Sequence, residues 1–178
     1  MWALVESGNI SKVYSKPAQL TIGDIKYPSN IHNLWSEAEL KAIGVYIVVI
    51  DNTNYKDSKY YINTDQSFAF ASNKVTATYG TATARDLDTL KTSHCETIDN
   101  QAYSLLQPND WMVVRNAESS KAIPSDWLDY RVAVRTAATD MKTKINAVAN
   151  VDALAALYAY SGDPATRPLG EFPTEPTS

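Results

Sequence analysis

At Gly80 the apolar residues of this chain change their spacing, from the period of strands to the period of helices, and that switch confines the chain to two differently built layers. Before Gly80, short β-branched and aromatic runs alternate with turn chemistry. Trp2 to Glu6 and Ile10 to Tyr14 flank Ser7-Gly8-Asn9, while Ala18 to Ile22 and Ile25 to Tyr27 flank Gly23-Asp24, so two hairpins are expected. Ser36 followed by Glu39 is a capping box, Trp35 and Leu40 stand where a hydrophobic staple forms, and Gly44 suits a left-handed stop. Together they predict one short helix over 36–43. Val45 to Ile50 is unbroken apolar sequence, expected to be a core strand covered on both faces. Lys59 to Asn63, Phe68 to Ala71 and Val75 to Tyr79 complete a small, mostly antiparallel sheet.

After Gly80, Leu87, Leu90, His94, Ile98, Ala102 and Leu105 recur at steps of three or four, the mark of one helix over about 84–106 that Pro108 ends. A second helix is expected from Pro124-Ser125-Asp126, carrying Trp127, Tyr130, Val134, Ala137, Met141, Ile145 and Val148 on one face. Asn150 and Asp152 suit the start of a third, short helix over 151–160. Pro164, Pro168, Pro173 and Pro176 predict an extended tail that orders by docking on something. The expected fold is therefore α+β. A β-rich domain over 1–80 precedes an α-helical hairpin domain over 84–160 and an extended Pro-rich tail over 161–178.

A chain of 178 residues can give each module a modest core, and 44% hydrophobic with 20% charged residues is a folding composition. A formal charge of −4 supplies no basic cluster for nucleic-acid phosphates, so no nucleic-acid partner is expected. The opening residues Met1 to Val5 are followed by Glu6-Ser7-Gly8, which is neither a signal peptide nor a membrane span, and no membrane partner is expected. One cysteine and two histidines cannot make a zinc set, so no metal or cofactor is expected.

Catalytic constellations are also wanting in the pattern. His94 and Cys95 are adjacent, so on a helix their side chains diverge by about 100°, and His94 falls on the apolar stripe as a packing residue would. His32 reads as a surface or loop residue. The pairs Glu37/Glu39, Asp86/Asp88 and Asp126/Asp129 sit where helix starts favour negative charge, which explains them without acid–base chemistry. The isolated glycines form no phosphate-binding loop. The chain is expected not to be an enzyme.

The segment Leu105-Leu106-Gln107-Pro108-Asn109-Asp110-Trp111, followed after a loop by Asp126-Trp127-Leu128-Asp129-Tyr130-Arg131-Val132-Ala133-Val134-Arg135, resembles the phage tail assembly chaperone family. That family is marked by a paired leucine, a Ser-Asp-Trp step and a later Trp-x-x-Tyr-Arg-x-x-Leu-Arg helix. Here Asn109 replaces the serine and Val134 the leucine, and the likeness covers residues 100–137. It implies a bacteriophage protein that works by protein–protein contact, with Trp111, Trp127, Tyr130, Arg131 and Arg135 as hairpin or interface residues. Trp111 is expected to close the hairpin over Trp127 and Tyr130, and Arg131 or Arg135 to pair with a carboxylate such as Asp110. The implied partner is a phage tail, fibre or baseplate protein, with homo-oligomerisation left open. The implied place is the host cytoplasm during assembly or, for a permanent tail, fibre or baseplate component, the virion tail.

Overall fold

The computed structural model describes residues 1–177, which divide into two compact units, Met1–Thr83 and the chain from Ala84 onward. Each is built around its own core.

The first unit is a curled, mixed sheet. Strands β1 (Trp2–Glu6) and β2 (Asn9–Tyr14) form a hairpin through Ser7 and Gly8, both at positive φ, as a tight two-residue turn requires. The ladder slips between Leu4 and Val5, leaving Ser11 as an extra residue whose hydroxyl reaches back to the Leu4 carbonyl at 3.3 Å. A second hairpin, β3 (Leu20–Ile22) and β4 (Ile25–Tyr27), is followed by two short helices, α1 (Ile31–Leu34) and α2 (Glu37–Ala42). Then come β5 (Val45–Asp51), β6 (Tyr61–Ile62), β7 (Gln66–Ala71) and β8 (Lys74–Tyr79). The five-stranded sheet runs β2-β1-β5-β8-β7, and its edge strands β2 and β7 approach each other as it curls.

The sheet is mostly antiparallel, as expected, with one parallel pairing: β5 runs beside β8, Val48 next to Val75, because the chain crosses the sheet over residues 52–65 before the β7–β8 hairpin returns it to β5. One expectation needs correction: β5 is not covered along its length. Val45, Tyr46 and Val48 are buried, but Ile47 and Val49 are exposed, since the helices that cover the outer face reach only its first residues, and Ile50 is exposed on the inner face toward the strand's end.

Strand alternation sorts the core into two clusters. Ala3, Tyr46, Val48, Val75 and Ala77 pack inside the curl with Phe68 and Phe70. Leu4, Tyr14, Leu20, Ile31, Leu40 and Val45 pack on the other face, beneath the β3–β4 hairpin and the two helices. Helix α2 starts with the expected capping box: Glu39 N–H donates to Ser36 Oγ at 3.3 Å, and Ser36 N–H and Oγ–H both donate to Glu39 Oε2 at 2.7 Å. Those bonds, the hydroxyl's first, hold the Glu39 carboxyl below the usual range. His32 is not a surface residue. It is buried in this unit, its Nε2 3.1 Å from the Ala18 carbonyl and its ring against Trp2 and Tyr14, because α1 tucks under aromatic cover.

The second unit is helical: α3 (Leu87–Leu106), a 3-10 turn (Gln107–Asn109), α4 (Asp110–Ser119), α5 (Ser125–Ala147) and α6 (Val151–Ala156). Asp86 caps α3, accepting from Thr89 N–H at 2.8 Å, and Asn150 caps α6, accepting from Ala153 N–H at 2.8 Å. The α3 and α5 faces pack together through Ile98, Ala102, Val134, Ala138, Met141 and Ile145. Helix α4 occupies a stretch expected to be loop. Its Trp-Met-Val-Val run has no one-sided period, so no amphipathic stripe announces it. The tail also departs from expectation, because it orders on its own unit: Ser161 and Thr166 bridge, Leu169 is fully buried, and Leu169 N–H donates to the Leu157 carbonyl at 2.9 Å. Among the described residues no helix is long and apolar enough to cross a membrane.

Gly44 is the tightest backbone position of the first unit. At φ +79° it faces the Val5 carbonyl oxygen, which would stand 2.7 Å from an added Cβ, while its own carbonyl accepts from Val5 N–H at 2.8 Å. Gly23, at φ +57°, has open space around it. Gly44→Ala should therefore cost about 2–3 kcal/mol and Gly23→Ala about 1 kcal/mol, measured by urea denaturation; equal costs would refute the clash.

Candidate functional site

The motif residues meet where α3 ends. Tyr130 and Arg131, neighbours in sequence, and Val134, one turn further along α5, are all buried. Arg131 spans two groups there. Nη1–H donates to the carbonyl of Leu106, the last residue of α3, at 3.1 Å, and Nη2–H donates to Asp110 Oδ1, at the first turn of α4, at 2.7 Å. The Arg131 side chain is 4% exposed and that of Asp110 52%. The guanidinium thus satisfies an orphan helix carbonyl, places positive charge at a negative helix end, and ties three helices.

Trp127 is half-buried and meets Tyr130 edge-on, with ring centroids 5.9 Å apart and planes at 90°. Tyr130 is buried, and burial first, then the charge of Glu175, pushes its phenol up. Of the five motif residues, Trp127, Tyr130 and Arg131 form this assembly. Trp111 does not close over it: the side chain is 53% exposed, with the Arg115 guanidinium 4.7 Å from its ring centroid. Asp110 turns inward to Arg131, and its neighbour on a helix must point about 100° away. Arg135 is exposed and forms no ion pair among the described residues.

Trp111, Val113 and Val114 on α4, and Leu128 and Val132 on α5, are all exposed. Only Met112 of α4 is buried.

His94 and Cys95 diverge as helical neighbours do. His94 is buried, with Nδ1 2.6 Å from the Tyr158 hydroxyl and the two rings 4.7 Å apart, which makes it a packing link between α3 and the end of α6. Cys95 Sγ lies 3.9 Å from Asn146 Oδ1, and burial pushes its thiol up. Two further contacts lie outside the motif: Lys142 with Asp99 at 2.6 Å, which has no sequence signature, and Lys144 Nζ with the Pro168 and Leu169 carbonyls at 2.9 and 3.1 Å. A weak cue existed for the second, since Leu169 is a lone large apolar residue between Pro168 and Gly170.

No protein-family model, curated protein or solved structure matches this chain. The site is therefore read from its own geometry.

Two outcomes are expected. Arg131→Met should lower stability by about 2–3 kcal/mol, less than for a wholly buried pair because Asp110 stays hydrated, and Arg131→Lys should not restore it, since one ammonium cannot span both acceptors. Chemical denaturation checks both, and recovery with lysine would mean that charge alone matters. Cys95 should react with iodoacetamide more slowly than free cysteine at neutral pH, because a raised thiol holds less thiolate, and its rate should climb with pH past the ordinary cysteine range. A faster rate would mean an activated thiol.

Proposed function

We propose that this chain is a non-enzymatic assembly protein of a tailed bacteriophage, binding a tail, fibre or baseplate component through α4 and the outer face of α5. The observation that carries the reading is the inside-out use of a motif that resembles that of the tail assembly chaperones. Asp110, Trp127, Tyr130 and Arg131 pack inward, and that leaves Trp111, Val113 and Val114 of α4 and Leu128 and Val132 of α5 exposed to meet a partner. Exposed tryptophan beside arginine is a composition that interface hot spots favour. His94 and Cys95 also form no nucleophile–base pair: His94 is engaged with Tyr158, and burial pushes the Cys95 thiol up.

A permanent virion component is the second reading, favoured by the exposed Ile47 and Val49 on one face of β5, which offer the first unit a contact surface of its own. Quantitative mass spectrometry of purified particles separates the two. An assembly factor is abundant in infected-cell lysate and missing from particles, whereas a structural component is present at fixed stoichiometry. A chain that is neither made during phage infection nor bound to any tail, fibre or baseplate protein would overturn both. For the surface itself, Trp111→Ala should leave stability within about 0.5 kcal/mol while weakening partner capture at least tenfold, or about 1.4 kcal/mol. Lost stability with unchanged capture would place Trp111 in the hairpin instead.

A further inference from the structure

Ile47 and Val49 do not stand on an open sheet. They floor a cleft of about 380 Å³ on the outer side of β5, bounded by α2 and by the β7–β8 turn, all within the first unit. Strand pairing leaves the gap. The parallel ladder with β8 begins at Val48 and Val75, so Val45 and Tyr46 have β1 on one side and no strand on the other. The turn residues Ser72 and Asn73, at φ +50° and +58°, stand there instead, and the Tyr46 hydroxyl donates to Asn73 Oδ1 at 2.8 Å. That bond fixes the Asn73 amide. Its Nδ2 donors have no partner among the described residues.

The rim is cationic. Lys41 of α2 and Lys74 of β8 line the cleft, and Glu37 is the one carboxylate among the lining residues, which leaves a formal charge of one positive. Glu37 is engaged with Lys41, one helical turn away at 2.7 Å. Lys74 forms no ion pair among the described residues. Its charge reaches Asp51, but that carboxylate is turned to Thr53, accepting from the Thr53 N–H at 2.9 Å and from its hydroxyl at 2.5 Å. An ammonium and an amide with free donors therefore border an apolar floor.

Charge and size together choose an occupant. A carboxylate accepts hydrogen bonds from both kinds of donor, an aliphatic body covers the isoleucine and valine, and a cavity of about 380 Å³ is at the small end of ligand sites. We propose that the cleft binds a small aliphatic carboxylate, with its chain on Ile47 and Val49 and its oxygens on Lys74 and the Asn73 amide. The ligand carries a single charge, because Glu37 holds Lys41 and repels a second anion. This goes beyond both assembly readings, since it concerns the isolated chain; the ligand occupies the same Ile47 and Val49 that the second reading offers to a protein.

The test titrates octanoate into the full-length chain and follows backbone amide shifts by nitrogen-15 NMR, which also reports that each variant is folded. Saturable shifts are expected at Ile47, Val49, Asn73 and Lys74, with a Kd of about 1 mM, as suits a ligand of about ten non-hydrogen atoms. Lys74→Gln should weaken binding about fivefold, and 1-octanol, which has the chain without the charge, should bind the wild-type chain about fivefold more weakly than octanoate. Glu37→Gln should tighten binding about threefold by releasing Lys41 to the ligand. Lys16→Gln, at an exposed lysine of the same unit outside the cleft, should change nothing. No saturable shift, equal binding of octanoate and 1-octanol, or an affinity unmoved by Lys74→Gln would each overturn the proposal. Shifts centred on Trp111 and Val114 instead would mean that octanoate coats any exposed apolar side chain, and would overturn it as well. A peptide ending in a free leucine carboxylate that binds the cleft tenfold more tightly than octanoate would assign it to a chain terminus and reject the small ligand.

Discussion

The second unit depends on one buried cation. Arg131 stands on the core face of α5, among side chains that exclude water, and a guanidinium there is tolerable only if its donors are met. Its two partners are the last carbonyl of α3 and the first carboxylate of α4. That pairing decides where α3 stops and how the chain turns out of it. It also sends α4 outward, because the residue after Asp110 must then face away. The exposed Trp111 is thus a geometric consequence of the buried Arg131. A motif that looks like a set of packing residues is divided between a lock and a surface.

The first unit rests on a different constraint, the close passage of Gly44 against Val5. The two backbones exchange a hydrogen bond at a distance that leaves no room for a side chain, and this sets β5 into register beside β1 just where α2 ends. From that register alternation follows: Ala3, Tyr46 and Val48 go into the curl, and Leu4 and Val45 go under the helices. The parallel pairing with β8 then uses the rest of β5, and the outer face there is left with Ile47 and Val49 exposed.

Both units expose large apolar side chains. In the second unit they include Trp111, Val113 and Val114 of α4 and Leu128 and Val132 of α5. Among the buried polar groups, His94 is matched by Tyr158 and Arg131 by Leu106 and Asp110, while His32 Nδ1 and Asn109 Nδ2 have no hydrogen-bond partner among the described residues.

What was legible in the sequence is what short-range physics decides. Turn residues at Ser7-Gly8 and Gly23-Asp24, the Ser36–Glu39 box, the α3 and α5 stripes and the dismissal of a His94–Cys95 dyad all follow from contacts within a few residues, where sterics and capping leave little choice. The pairing of Arg131 with Asp110 was within reach because the motif names both. The parallel β5–β8 ladder, the burial of His32, the helix hidden in an all-apolar run at Trp111 to Val114 and the docking of the tail were decided only by tertiary structure. Each depends on which distant surface arrives to cover a residue, and neither periodicity nor propensity encodes that. An apolar strand reads the same whether one face is covered or two, and a proline-rich tail reads the same whether it docks on a partner or on its own helices.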